Sequence, residues 1–290
     1  MDHSNMTDYT IRELNLSGQG LTELPDLTLY TYLTNLNCSH NSLTYLDPLR
    51  LPPHIQFLYC DHNQLTSLSI DDFPYLKRII CDNNCLKTIE SLPPNLEHLD
   101  CDNNDLEELP DLPDSLLYLT CSYNKIKALD HLPKGLMGLD CSFNHVRSLD
   151  RLPQSLINLY CDSNVYLTSL DHLPMMLELL SCCYTCVDSL DHLPQGLQQL
   201  ECSHLGIVSL DHLPQSLLRL ICPWNRITQL DNLPGQLEVL ECGHNQIESL
   251  DWLPDSVRSL NLEGNPLKYQ FQPSLQSIRE YVLKSPYLLK

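Results

Sequence analysis

A phrase of about twenty residues recurs along nearly the whole of this chain, and a unit that short cannot bury its own apolar side chains. Its clearest copy runs from Leu129 to Val146, L-D-H-L-P-K-G-L-M-G-L-D-C-S-F-N-H-V, and near-copies begin at Leu149, Leu170, Leu190, Leu210 and Leu230. Each copy contains the frame L-x-x-L-x-C-x-x-N-x-[IVL], as in Leu96, Leu99, Cys101, Asn104 and Leu106. The units must therefore stack, each closing the core of its neighbour. Thirteen of them fit residues 11–267, which leaves 1–10 as an N-terminal tail and 268–290 as a C-terminal helical cap. The spacing of the core cysteines settles to 20 after two longer intervals, and one extra residue near Val165-Tyr166-Leu167 stretches Cys161 to Cys182 to 21. A small loop bulge is expected there.

Within a unit, L-x-L-x-C alternates apolar and polar residues, the pattern of a short half-buried strand. Stacked units pair these strands into one parallel sheet. The asparagine that follows turns the chain inward, where its amide can satisfy the loop backbones of adjacent units. The return through S-L-D-x-L-P is expected to be extended, polyproline-like or 3-10, because proline disfavours helix before it. The aspartates of that return (Asp130, Asp150, Asp171, Asp191, Asp211, Asp231 and Asp251) suit a turn-capping role. After Pro273, Ser274 can cap a helix with Leu275, Ile278, Val282 and Leu283 on one face, closing the last open core.

Charge and cysteine usage narrow the function. A formal charge of −20 and a pI near 4.7 argue against nucleic-acid binding, which needs clustered Lys and Arg, and favour a basic partner. Of the fourteen cysteines, eleven (Cys38, Cys60, Cys81, Cys101, Cys121, Cys141, Cys161, Cys182, Cys202, Cys222 and Cys242) occupy a core leucine slot and should act as small inert hydrophobes. The first residues, Met1 to Asp8, have no signal-peptide pattern, and no apolar stretch is long enough to span a membrane. A cytoplasmic monomer is the expectation.

The frame with Cys in its last core leucine position resembles the leucine-rich repeat, and the L-P-x-x-L element with its short period resembles the bacterial-effector class of Yersinia and Shigella type. Cys-rich units with L-D-x-L-P are also similar to repeats in giant amoebal viruses and protists. The resemblance implies an α/β solenoid of horseshoe form, with one parallel sheet on its concave face and protein binding there. It also places the chain in a host cytosol if it is an effector or viral protein. Some fuller effectors carry a C-terminal ubiquitin-ligase domain; only about twenty residues follow the last repeat here, so ligase activity in the same chain is not expected.

Candidate binding residues are read as columns beside the core cysteines. The residue just before gives Tyr59, Asp100, Asp140, Tyr160, Glu201 and Glu241; the one just after gives Asp61, Asp102 and Asp162. The column two after gives Tyr123, Phe143, Tyr184, His204, Trp224 and His244. All are expected to point to solvent from the strand face, where aromatic groups make hot spots and carboxylates steer basic partners. The alternative is that the rings only stack on one another along the repeat.

Three further features bear on function. Leu152 to Leu218 contains no Lys or Arg, and this is either a docking block for a basic segment or drift in an acidic chain. His131, His172, His192 and His212 recur after the return aspartates and read as solvated loop residues rather than metal ligands. Cys183 and Cys186 form a lone C-x-x-C beside Thr185, which stands where asparagine belongs; a metal or redox site is one reading, local decay of the repeat the other. No nucleophile–base pair or phosphate loop appears, so neither an enzyme nor a cofactor is expected. The leading function is a non-catalytic module binding a protein partner. The competing reading is a passive structural or decoy array.

Overall fold

The computed structural model describes residues 8–250, 252–269, 271 and 273–284; Asp251 and the side chain of Leu283 fall outside the described set. The chain divides into two compact units, Met1–Asn144 and His145–Lys290.

In the first unit, seven strands lie parallel in chain order: β1 (Glu13–Asn15), β2 (Asn35–Asn37), β3 (Phe57–Tyr59), β5 (Arg78–Ile80), β7 (His98–Asp100), β8 (Tyr118–Thr120) and β9 (Gly138–Asp140). Each is three residues long with its central leucine or isoleucine directed inward. The register keeps these side chains level: Leu58 pairs with Ile79, Ile79 with Leu99, Leu99 with Leu119 and Leu119 with Leu139. Two returns, β4 (Ser67–Ser69) and β6 (Thr88–Ser91), add a small parallel pair of their own. This second pair departs from the single sheet expected of the repeat: Leu68, Ile70 and Ile89 are buried on these returns and favour the extended pairing. The return at Pro48–Arg50 is instead a 3-10 turn, capped by Asp47, whose carboxylate accepts from Leu49 N–H.

The second unit repeats the plan with β10 (Asn158–Tyr160), β11 (Leu179–Ser181), β12 (Gln199–Glu201), β13 (Arg219–Ile221), β14 (Val239–Glu241) and β15 (Ser259–Asn261), again parallel and in register. It ends in α1 (Leu275–Lys284). Ser274 Oγ accepts from Ser277 N–H as an N-cap, and Ile278 and Val282 are buried, as the end-cap reading requires. Arg279 ties the helix to the last return by donating to the carbonyls of Asp255 and Val257.

Two buried polar ladders hold successive repeats together. Asn124 Nδ2 donates to the carbonyls of Cys101, Cys121 and Ser122 at 3.0, 3.1 and 3.1 Å, and its Oδ1 accepts from Leu106 N–H at 3.0 Å. Asn104 makes the same set of bonds in the first unit and Asn245 in the second. Cysteine thiols form the second ladder, from Cys38 to Cys182, donating to a carbonyl one repeat on: Cys38 to Tyr59, Cys81 to Asp100, Cys161 to Ser181. All fourteen cysteines are free, and burial pushes core thiols such as Cys60, Cys81 and Cys101 up, Cys38 to about 12. A leucine in this slot would be bulkier and could not donate to that carbonyl.

The extra residue after Asn164 and the loss of asparagine at Thr185 belong together. Elsewhere the ladder asparagine accepts from an amide one repeat earlier, as Asn164 does from Val146 N–H. In the lengthened loop, Leu167 N–H turns back to Asn164 O at 3.0 Å, so no acceptor is needed from residue 185. Thr185 Oγ1 keeps only the local bond, donating to Cys182 O. This part of the phrase is compensated rather than decayed.

Asp150, Asp171 and Asp191 of the return do not cap their turns as expected. Ser148, Ser169 and Ser189 do, accepting from the amides of Asp150, Asp171 and Asp191. The carboxylates instead meet histidine one repeat on: Asp150 with His172, Asp171 with His192, Asp191 with His212, at 3.0–3.2 Å. Ser169 and His192 hold the Asp171 carboxyl below its usual range, and all three pairs are exposed, so each contributes little to stability.

Candidate protein-binding face

The strands stop one residue before each core cysteine, and two residues after it the chain takes a left-handed backbone. Every repeat with a core cysteine does this, from His40 (φ 53°) through Tyr123 (52°) and Trp224 (59°) to His244 (52°); Gly18 and Gly264 do so in the first and last repeats. The conformation persists because its amide continues the inter-repeat bonding: Tyr123 N–H donates to Ser142 O, Tyr184 N–H to Ser203 O, Trp224 N–H to Gly243 O. Where a ladder asparagine comes next in sequence, as at Asn124 and Asn225, it fixes the same turn from inside. A left-handed residue other than glycine or asparagine costs about 1–2 kcal/mol, so large rings in this column are held against their own backbone preference.

This places the predicted residues in two zones. Tyr59, Asp100, Asp140, Tyr160, Glu201 and Glu241 are the last residues of β3, β7, β9, β10, β12 and β14 and lie on the strand face. Asp61, Asp102, Asp162, Tyr123, Phe143, Tyr184, His204, Trp224 and His244 lie beyond the strands, on the turns that border the sheet. The expectation that all of them project from the strand is corrected by the left-handed turn, which ends the strand before these positions.

In the first unit, the Tyr123 and Phe143 rings stack at 4.1 Å. Asp100 and Asp102 come close enough to repel one another. Burial and the Asp100 charge push Asp102 up to about 7, although its carboxylate accepts from Ser122 N–H at 2.6 Å; burial raises Asp100 too. A raised carboxyl pKa means the folded state holds a proton that the unfolded chain has released. Stability from this pair therefore falls as pH rises from about 4 to about 7 and is level above that. Asp102→Asn keeps the acceptor and removes the charge. Its melting temperature should exceed that of the parent by a few degrees at pH 8, with the gap closing toward pH 4 in thermal scans.

In the second unit, four rings form one stack: Tyr184 on His204 at 4.1 Å, His204 on Trp224 at 5.6 Å, Trp224 on His244 at 3.9 Å. Tyr184 and Trp224 remain 54% and 53% exposed, so stacking covers their faces and leaves their edges in water. Beside them the Glu201 and Glu241 carboxylates make no hydrogen bond or ion pair among the described residues. Asp162 differs, since it accepts from Ser181 Oγ and Cys183 N–H and serves the scaffold. Cys183 is half-buried with its thiol pushed up by burial, which works against a reactive thiolate there; Cys186 is exposed.

The sequence reading missed the first residue of each strand. That column carries Tyr118, stacked on His98 at 4.7 Å and lying over Gly138, where a side chain would meet its ring at 2.9 Å. It also brings Arg78 and Arg219 onto the face, which is therefore less uniformly acidic than expected. The residue just before the second leucine of the frame was the available signal. The missed potential metal ligands are His40, Asp61 and His62, brought together on adjacent turns.

Comparison with known proteins agrees with this architecture. Residues 95–116 match the family model for the Leucine Rich Repeat. YopM from Yersinia enterocolitica is 33% identical, with a TM-score of 0.67, over 91% of this chain and 67% of that one. The functional domain of InlJ from Listeria monocytogenes, which includes a cysteine ladder, is 27% identical with a TM-score of 0.66, over 89% of this chain and 64% of that one. YopM from Yersinia pestis, a leucine-rich effector protein, is 27% identical with a TM-score of 0.61, over 87% of this chain and 88% of that one. A search of curated proteins gives no significant match. This chain thus spans about two thirds of the first two relatives. With its repeat frame, asparagine ladder and parallel one-strand units, the chain belongs to the leucine-rich-repeat proteins.

Proposed function

We propose that this is a non-catalytic module that holds a protein partner against the border where its strands run into the left-handed turns, and that the partner segment combines apolar and basic side chains. The family is one of interaction scaffolds, and the observation that carries the finer reading is the exposed Tyr184–His204–Trp224–His244 stack beside the uncommitted Glu201 and Glu241. Ring edges offer apolar contact, and the carboxylates attract Lys or Arg from the same segment. Stacking alone accounts less well for the column, since rings are placed where glycine or asparagine would sit with less strain. Among the described residues no helix is long and apolar enough to cross a membrane. The likeness to YopM favours a host protein as the partner and the host cytosol as the place of action.

The test is affinity capture with the chain and with Tyr184→Ala/Trp224→Ala. A saturable partner should be retained by the parent and weakened about thirtyfold or more in the variant, the usual scale when a hot spot is removed. Glu201→Gln/Glu241→Gln should mainly slow association and flatten its salt dependence. Equal capture by all three proteins, or no saturable partner for the parent, favours a passive array instead.

A further inference from the structure

We infer that His40, Asp61 and His62 form a site for a borderline transition-metal ion, zinc(II) foremost, on the turn border of the first unit. Residues 40 and 62 are equivalent positions in successive repeats, both left-handed (φ 53° and 51°), so the stack sets one imidazole directly beside the other. Their rings lie 4.2 Å apart. Asp61 Oδ2 lies 3.1 Å from His62 Nδ1 and 4.0 Å from His40 Nε2, and the three donor atoms all fall within 4.8 Å of one another.

The donor set selects the ion. Two imidazole nitrogens and one carboxylate oxygen suit zinc, with a fourth position left for water or a partner's side chain; calcium and magnesium require a shell of oxygens. Tetrahedral ligands about 2.0–2.1 Å from zinc stand roughly 3.3–3.4 Å apart. The Asp61–His62 spacing is already near that, and the Asp61–His40 spacing must close by about half an ångström. The rings are inclined by 28°, so their lone pairs do not yet meet at one point. His40 is 60% exposed, which leaves its ring room to turn about χ2. Asp61, with its side chain 17% exposed, is the more firmly held ligand.

The ordinary alternative is a histidine–aspartate ion pair with no affinity for metal. It is distinguished by titrating zinc(II) into the reduced protein by calorimetry and recording the cobalt(II) spectrum. The exposed thiols of Cys85 and Cys186 are the competing ligands, and thiolate–cobalt charge transfer in the near ultraviolet would expose them. Expected are one zinc per chain at micromolar affinity, a cobalt spectrum without thiolate bands, and a zinc-dependent rise in melting temperature. His40→Asn and His62→Asn should each weaken zinc at least tenfold and abolish that rise. The repeat accepts asparagine in this column, as Asn83 and Asn103 show, so the fold is retained. His212→Asn, at an exposed histidine–aspartate pair of the second unit, is the control and should bind as the parent does. No stoichiometric binding, thiolate bands, or unchanged affinity in both ligand variants would overturn the assignment.

Discussion

Asn124→Ala is expected to destabilise the protein by about 3–4 kcal/mol, although no apolar surface is lost. The side chain makes four hydrogen bonds, three donated and one accepted. The three carbonyls retain other donors: Cys101 O keeps Asn104, Cys121 O keeps Asn144 and Ser122 O keeps Asn103 N–H. Leu106 N–H is different, because Asn124 Oδ1 is its one acceptor among the described residues. Orphaning a buried amide costs about 1–3 kcal/mol, and the lost donations and the small void add to it. Asn103→Ala is the matched control, one residue earlier and exposed, where only the left-handed preference of asparagine is lost, at roughly 1 kcal/mol. Urea unfolding of the two variants should separate them clearly. Equal losses would mean that the ladder adds nothing beyond turn propensity.

The contrast between these neighbours also shows what was legible in the sequence. Leu, Cys and the ladder Asn repeat without much freedom because each meets the same buried surroundings in every unit, and identity at a fixed spacing reads directly as core. The residue beside the ladder Asn varies from His to Tyr, Phe, Ser and Trp, so nothing in its identity signals the left-handed backbone that all of its members share. Gly18 and Gly264, at the two ends of the column, were the available hint. The same blindness hid His40, Asp61 and His62. They are separated by the longest interval between core cysteines, and only stacking in space sets them side by side. Thr185 is the reverse case: an apparent defect in the phrase, explained once the neighbouring loop supplies its own acceptor through Asn164 O.

Leu119→Ala is expected to cost about 3–4 kcal/mol, against roughly 1 kcal/mol for Leu14→Ala, although both replace the central leucine of a three-residue strand. Leu119 is fully buried between its register partners Leu99 and Leu139, so truncation removes about three methylenes' worth of transfer energy and opens a void that two sides of the stack must absorb. Leu14, in the first strand, has one strand partner, Leu36, and is only partly buried. In a stack of repeats, stability is close to a sum of single-repeat and nearest-neighbour contributions. A lesion in the interior therefore weakens two interfaces and a lesion in the first repeat weakens one. Denaturant unfolding followed by fluorescence and by circular dichroism should report the difference in midpoint. It should also show whether the Leu119 variant loses coincidence between the two probes, as expected when a weakened interior interface lets flanking repeats unfold separately. If the two substitutions cost the same, nearest-neighbour stacking is not what distributes stability along this chain, and the cost is set by leucine burial within a single repeat.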